Sequence, residues 1–213
     1  MAEVLAVTPS GRLYLGERWV FDPWNWRWEM LDAAPQEAGQ EVDRLEALRL
    51  LGQGGECRKV PIAVIGPRDA SDQQIELAAE LGRALADLGL TVICGGKNGV
   101  MEAVARGVHD AGGLCIGLLP EGDWREANPY VSLPIATGIG KARNVLIAQS
   151  AAALIAVGGQ YGTLSEIAFG LHFDKPVFGL GDAPDLPDMR RAHSVEEVCR
   201  GLADVLLQSP RLS

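Results

Sequence analysis

The chain has 213 residues, of which 47% are hydrophobic, and its formal net charge is −9. This length is sufficient for one sizeable core and a smaller additional segment, and the acidic balance argues against a general nucleic-acid-binding surface. The four cysteines are widely spaced and form no Cys-x-x-Cys pair, which argues against a disulfide framework or a zinc site.

The beginning of the chain contains no basic region followed by a long apolar stretch, so no signal peptide is visible. No apolar run has the length that a transmembrane helix needs. We therefore expect a cytoplasmic protein that does not enter a membrane.

Residues 1–55 are predicted to form an aromatic-rich N-terminal appendage of a hairpin and a helix. Alternating apolar residues on both sides of Pro9-Ser10-Gly11 indicate the hairpin. Four of the five tryptophans follow within residues 19–28. These tryptophans have two interpretations. They pack against the main domain, or they form an oligomer contact or a lid over a ligand. Apolar residues at helical spacing between Pro35 and Leu51 predict the helix, and Gln53-Gly54-Gly55 is typical of a linker.

Residues 56–213 are predicted to form the ligand-binding domain, in which strands and helices alternate. Ser71 and Gln74 form a capping box at the start of the first helix of this domain. The predicted strands are Ile62–Ile65, Thr91–Cys94, Leu114–Leu119, a short strand at 135–137, Ala152–Val157 and Pro176–Leu180 as the last core strand. The other predicted elements are a polar loop at 121–133, a helix carrying Arg143, a helix from Gly162 to about Phe173 with Leu164, Ile167, Ala168 and Leu171 on one face, and a terminal helix capped by Ser194 and Glu197.

This alternation indicates an α/β fold: a Rossmann-like, doubly wound, mainly parallel sheet with helices on both faces, plus the N-terminal appendage. Ligands on such sheets bind beyond the carboxyl ends of the strands. The glycine-containing loops predicted at those ends are 66–70, 95–99, 138–140 and 158–163. Their common position favours one ligand site.

The loop at 158–163 is the predicted anion site, because it joins a buried strand to the start of a helix. Gly158 and Gly159 allow a sharp turn, and free N–H groups at the helix start suit a phosphate. Glu166, placed in the first helical turn, could accept hydrogen bonds from sugar hydroxyls; the alternative is a tight turn with a glutamate that stabilises the helix dipole. Neither a dinucleotide fingerprint nor a Walker lysine loop is present, so NAD and FAD are not expected.

Several polar residues beside these loops have two interpretations each. Arg143 could clamp a phosphate through two parallel hydrogen bonds, or could be an exposed helix charge. Lys97 and Asn98 could bind a ligand, although Lys97 also fits a solvated loop charge. Thr163 fits either a phosphate contact or a helix cap. The three histidines show no metal-ligand spacing, so no metal site is expected.

Three stretches together resemble one superfamily: Cys94-Gly95-Gly96-Lys97-Asn98-Gly99-Val100-Met101, Lys141-Ala142-Arg143-Asn144 and Gly158–Glu166. This superfamily contains the cytokinin-activating phosphoribohydrolases, known as lonely guy proteins, and the molybdenum cofactor carrier proteins. The hydrolases have Lys after the Arg and a Pro-Gly-Gly-x-Gly-Thr-x-x-Glu loop. Here Asn144 follows Arg143, and Gly158 and Gln160 replace the Pro and the second Gly. The chain therefore looks more similar to the carrier branch.

The resemblance implies two functions. A carrier would bind a phosphorylated pterin, the molybdenum cofactor, without chemistry on it. A hydrolase would release the base from a nucleoside 5′-monophosphate, with Arg143 and Glu166 as the catalytic pair. A nucleotide sensor within a larger assembly is a third interpretation. Both branches imply a homo-oligomer, a dimer or a tetramer. The acidic net charge argues against a nucleic-acid partner.

Members of the superfamily have also been labelled lysine decarboxylases. No lysine context supports a pyridoxal phosphate Schiff base, so neither that cofactor nor that activity is expected. The motifs and the resemblance together nominate a set of ligand-binding residues. They are Gly66, Arg68, Gly95, Gly96, Lys97, Asn98, Gly99, Met101, Arg143, Asn144, Gly158, Gly159, Gln160, Tyr161, Gly162, Thr163 and Glu166.

Overall fold

The computed structural model describes residues 4–210, which form two compact units. The first unit comprises residues 4–59 and 199–210, and the second comprises residues 60–198. None of the helices in this described part of the chain has the length and apolar character needed to cross a membrane.

The first unit contains a five-stranded sheet in the order β4-β3-β2-β1-β5. Its elements are β1 (Leu5–Val7), β2 (Leu13–Leu15), β3 (Trp19–Asp22), β4 (Arg27–Met30), β5 (Gln40–Glu41) and the helix α1 (Arg44–Gln53). The predicted hairpin is confirmed, because β1 pairs antiparallel with β2 and places Ala6 opposite Tyr14.

The aromatic residues of this unit pack partly on one another. The Phe21 ring meets the rings of Trp26 and Trp28 edge to face, with centroids 6.0 and 5.1 Å away. Trp24 is exposed, and the Arg58 guanidinium lies 4.8 Å from its ring centroid. The aromatic segment is therefore part of a sheet with its own small core.

The prediction of a helix between Pro35 and Leu51 is wrong about where the helix begins. Gln40–Glu41 is an edge strand paired with β1, and the helix starts only at Arg44. Asp43 caps this start by accepting a hydrogen bond from the Glu46 backbone N–H at 2.8 Å. A side-chain cap fixes the start of a helix more strongly than the apolar spacing that continues upstream of it.

The second unit contains a seven-stranded sheet in the order β12-β11-β10-β6-β7-β8-β9, with all neighbouring strands parallel. The strands are β6 (Pro61–Ile65), β7 (Thr91–Cys94), β8 (Cys115–Leu119), β9 (Leu133–Ala136), β10 (Ala153–Val157), β11 (Val177–Leu180) and β12 (Arg190–Ala192). The helices are α2 (Asp72–Asp87), α3 (Val100–Asp110), α4 (Arg143–Ser150) and α5 (Tyr161–His172), and the chain continues into α6 (Val195–Leu206). The predicted Rossmann-like α/β fold is confirmed.

The apolar runs of the central strands explain why they lie in the middle of the sheet. All five side chains of β10 are fully buried, as are Ile62, Ala63 and Val64 of β6. On the helical side, α2 and α3 pack closely at two glycines: a Cβ atom on Gly82 or Gly107 would collide with the backbone of the other helix. The predicted capping box of Ser71 and Gln74 is confirmed at the start of α2.

Three local predictions in this unit need correction. Pro176–Leu180 is not the last strand, because Arg190–Ala192 adds an edge strand beside it. The predicted loop at 121–133 contains a 3₁₀ turn at Trp124–Glu126, and β9 begins already at Leu133. Edge strands this short carry little sequence signal of their own, because their pairing comes from the neighbouring strand.

The buried face of α5 is also different from the predicted one. Thr163, Glu166, Ile167 and Gly170 are buried, whereas Ala168 is exposed. The buried face is rotated because two polar side chains, Thr163 and Glu166, lie on the inner side of the helix. Polar residues of this kind are not counted in an apolar stripe.

Candidate functional site

The glycine loops that follow β6, β7 and β10 meet at the carboxyl ends of three neighbouring strands. A Cβ atom on Gly66 would lie only 2.6 Å from the carbonyl oxygen of Val157. Gly99 has a φ of 71°, and a Cβ there would collide with the carbonyl oxygens of Pro67 and Arg68. The loops 66–70, 95–99 and 158–163 therefore approach each other as backbone, which requires glycine at these contacts.

The fourth predicted loop, 138–140, leads into α4 at Arg143. Gly138 N–H donates to the carbonyl oxygen of Glu121 at 3.0 Å, and Gly140 N–H donates to that of Pro120 at 2.9 Å. These bonds fasten the loop to the end of β8. They fix the point at which α4 starts.

Arg143 and Glu166 form a buried ion pair between α4 and α5. Arg143 Nη1 donates to Glu166 Oε1 at 3.1 Å, and the two residues are only 6% and 7% exposed. Arg143 Nη2 also donates to the carbonyl oxygen of Gly95 at 3.4 Å. The guanidinium thus links two helices and the loop after β7, and it is not an exposed helix charge.

Burial opposes both charges of this pair. Loss of water raises the pKa of Glu166 to about 7, although Arg143 acts in the opposite direction. Burial likewise lowers the pKa of Arg143, while the Glu166 carboxylate raises it. Glu166 can therefore exchange a proton near neutral pH, which is a property typical of functional carboxyl groups.

Asn144 connects this ion pair to the start of α5. Its Oδ1 accepts a hydrogen bond from Arg143 Nη1, and its Nδ2 donates to Ser165 Oγ at 3.0 Å. A longer contact of 3.4 Å joins the same Nδ2 to the carbonyl oxygen of Gly162. Asn144 thus lies in the site, where the hydrolase branch that the chain resembles has lysine.

Among residues 4–210, no side chain caps the N–H groups in the first turn of α5. Gln160 occupies the N-cap position without such a hydrogen bond. Gly162 is exposed, and a Cβ atom there would meet nothing within 4 Å. Thr163 is 2% exposed, and its Oγ1 has no hydrogen-bond partner among residues 4–210. An open helix start with a buried, unpaired hydroxyl has the donors that an anion requires.

Glu166 lies in the second turn of α5, which corrects its predicted place in the first turn. The helix begins at Tyr161, so no acidic residue is present in its first turn. Glu166 therefore does not act as a dipole-stabilising residue at the helix start. Its position one turn later lets it face Arg143.

Lys97 is paired with the loop that follows β8. Its Nζ lies 3.1 Å from Glu121 Oε1 and 3.6 Å from Glu126 Oε2, and its side chain is 14% exposed. Asn128 Nδ2 donates to the Lys97 carbonyl oxygen at 2.9 Å. Lys97 is therefore an anchor for this loop, and not the solvated charge that was one of its two interpretations.

The other nominated residues surround this centre. Arg68 and Asn98 are exposed, Tyr161 is 91% exposed and Met101 is buried against the loop after β7. Gly96, with a φ of 68°, packs on β8, whereas a Cβ atom on Gly159 would lie 2.6 Å from Pro184 Cδ.

Sequence reasoning missed the roles of three residues in the candidate site: Ser165, Gln74 and Asp182. Ser165 lies inside the glycine-loop motif but was not assigned a contact, and only its bond to Asn144 identifies it. Gln74 was recognised as a capping residue only. Its Nε2 also donates to Asp182 at 2.9 Å, behind Gly158. These contacts join residues far apart in the chain, so no local sequence pattern predicts them.

The chain belongs to the SLOG cluster4 family, whose sequence model matches residues 59–202. It is similar to the molybdenum cofactor binding protein of Rippkaea orientalis, with a TM-score of 0.67, 34% identity, and coverage of 70% of this chain and 98% of that one. The chain is also similar to the molybdenum cofactor carrier protein of Chlamydomonas reinhardtii, with a TM-score of 0.66 and 35% identity. This match covers 71% of the present chain and 100% of the Chlamydomonas chain.

The cytokinin riboside 5′-monophosphate phosphoribohydrolase LOG of Oryza sativa subsp. japonica is 36% identical over 104 residues. This match covers 47% of the present chain and 42% of the rice protein. The predicted resemblance to the carrier branch of this superfamily is confirmed by the family and structural matches together.

Proposed function

We propose that this protein binds a phosphorylated small molecule at the start of α5, and that its ligand is the molybdenum cofactor, which it carries without chemical change. The observation that carries the proposal is the uncapped first turn of α5 beside the buried Arg143. The exposed Gly162 lets a phosphate approach the backbone, and Thr163 has a buried hydroxyl to donate. These groups fit the phosphate of such a ligand, and the carrier proteins similar to this chain support its identity.

The geometry of Glu166 favours a carrier over a hydrolase. A hydrolytic carboxylate must face the sugar or the attacking water. Glu166 is 7% exposed and its Oε1 accepts from Arg143. Asn144 also provides a neutral amide in place of the lysine of the hydrolase branch. The four free cysteines are all buried, which supports a reducing, cytoplasmic setting.

A second candidate is a nucleoside 5′-monophosphate phosphoribohydrolase. The specific observation in its favour is that both members of the pair are present and that burial raises the pKa of the Glu166 carboxyl to about 7. A carboxyl poised near neutral pH is suited to proton transfer. The similarity to the rice enzyme supports this alternative.

One experiment separates the two functions. The pure protein is incubated with AMP and related monophosphates, and free base is measured. In parallel, retention of molybdenum cofactor after gel filtration is compared for the wild type, Arg143→Ala and Glu166→Gln. The control is Arg106→Ala, which removes an exposed arginine of α3.

We expect little or no base release, and cofactor retention that falls at least tenfold in Arg143→Ala, because a charge-assisted contact to phosphate is lost. The control should retain the cofactor like the wild type. Base release that disappears in Glu166→Gln, together with no retained cofactor, would establish the hydrolase instead.

A further inference from the structure

The N–H donors of the Asn144 side chain are used inside the protein. Its Oδ1 accepts from Arg143 Nη1, and its Nδ2 donates to Ser165 Oγ and to the Gly162 carbonyl oxygen. An asparagine amide provides one carbonyl oxygen and two N–H donors. Both donors are therefore engaged, and a direct bond from this amide to a ligand would break one of these contacts.

Ser165 extends the network along α5. Its Oγ accepts from Asn144 and donates to the carbonyl oxygen of Gly162 at 2.6 Å. Gly162 is the open position in the first turn of this helix. A continuous chain of hydrogen bonds thus runs from the Arg143 guanidinium to the turn at Gly162.

The Arg143 guanidinium is held on several sides. Nη1 is shared between Asn144 and Glu166, and Nη2 donates to the Gly95 carbonyl oxygen. Its Nε is buried without a hydrogen-bond partner among the described residues. Without Asn144, the guanidinium would keep two contacts, Nη1 to Glu166 and the longer Nη2 bond to the Gly95 carbonyl oxygen, and would be held less firmly.

We propose that Asn144 and Ser165 are positioning residues, which hold the Arg143 guanidinium and the Gly162 turn in one fixed geometry and do not contact the ligand. This inference rests on the proposed function, in which a phosphate binds at that turn. Its physical basis is preorganisation: groups fixed before binding lose less conformational freedom when the ligand arrives.

The first test needs no ligand. In the protein labelled with ¹⁵N-arginine, a fixed Arg143 guanidinium should give separate Nη–H resonances in NMR spectra, assigned by their absence in Arg143→Lys. We expect these resonances to merge in Asn144→Ala. They should stay separate in Asn144→Asp, which keeps the oxygen that accepts from Arg143. The matched control is Gln149→Ala, which removes an exposed amide from the same helix.

The second test measures the dissociation constant for molybdenum cofactor. Asn144→Ala and Ser165→Ala should each weaken binding about tenfold, because each interrupts the same network. The double variant should be no weaker than the weaker single variant, since residues in one network are not additive. Gln149→Ala should bind like the wild type.

The outcomes keep the two proposals apart. Unchanged Nη–H resonances in Asn144→Ala would overturn the positioning inference, whatever the ligand data. Merged resonances with unchanged affinity would overturn it as well, because fixing the guanidinium would then have no effect on binding. If the wild type binds no cofactor, the proposed function fails, and the resonances alone decide whether Asn144 fixes Arg143.

Discussion

The Arg143–Glu166 pair is the residue-scale feature with the largest consequences. Its two partners attract each other at 3.1 Å, yet burial disfavours the charge on each of them. A buried pair of this kind contributes little to stability, whereas removal of one partner leaves an uncompensated charge. The pair is therefore better explained by a role in the site than by a role in folding.

This pair predicts a pH-dependent stability. The pKa of Glu166 is about 7 in the folded protein and 4.5 in the unfolded chain, so the folded state holds the proton more tightly between these values. The stabilisation is fully present below pH 4.5 and is lost as the pH rises through 7. Relative to Glu166→Gln, the free energy of unfolding of the wild type should fall by roughly 2–3 kcal/mol from pH 5 to pH 8.

Urea denaturation of the ligand-free protein at several pH values measures this difference. Glu80→Gln, which changes an exposed glutamate of α2, is the control and should follow the wild type. A wild type and a Glu166→Gln variant whose stabilities run parallel from pH 5 to pH 8 would contradict the raised pKa.

At the scale of the elements, the start of α5 differs from the glycine loops around it. Gly66, Gly99 and Gly158 have no room for a side chain, because backbone or side-chain atoms of neighbouring segments lie against them. Gly162 has open space instead. The first group of glycines is needed for folding, and we infer that Gly162 is needed for the ligand.

Gly162→Val is therefore expected to fold normally and to lose ligand binding. The new Cβ would have no atom of the described residues within 4 Å, but the side chain would occupy the space in which a phosphate approaches the turn. Gly158→Ala should instead destabilise the protein by about 1–3 kcal/mol, since Gly158 has a φ of 67° and its Cβ would collide with Gln74.

Thermal unfolding and cofactor retention, measured on both variants, test this contrast. Gly158→Ala is the reference for a glycine required by the fold. Normal cofactor binding by a folded Gly162→Val protein would remove the start of α5 from the proposed site.

At the scale of the whole molecule, the second unit carries apolar side chains that its own core does not cover. The edge strand β9 exposes Leu133 and Ile135, and Leu146 of α4 and Phe169 of α5 are also exposed. Pro134 lacks a backbone N–H, which disfavours addition of another strand at this edge. Such exposed apolar residues are typical of surfaces that another subunit covers.

We therefore expect at least a dimer, in which a second copy of the chain covers some of these side chains. Sedimentation at micromolar concentration should give more than one copy per particle, and Leu146→Glu should shift the equilibrium toward monomer. Leu50→Glu is the matched control, because Leu50 is 41% exposed on α1 of the first unit and Leu146 is 42% exposed. A monomeric wild type at this concentration would refute the expectation.

The sequence by itself determined the parallel sheet and the position of its loops. Apolar runs such as Ile62–Ile65 specify buried strands, and the Ser71–Gln74 capping box requires only residues three positions apart. Short-range patterns of this kind can be identified from a few consecutive residues of the sequence. They also place the glycine loops together, because the carboxyl ends of parallel strands share one edge of the sheet.

Only the tertiary structure decided which side chains of the candidate site contact each other. The burial of Arg143 against Glu166 joins residues 23 positions apart, and the Asn144–Ser165 bond joins residues 21 apart. The short strand β12 and the rotated face of α5 likewise depend on what packs beside them. The physical reason is that burial, a charge pair or an edge pairing exists only when distant segments meet, whereas an apolar run or a helix cap is complete within a few residues.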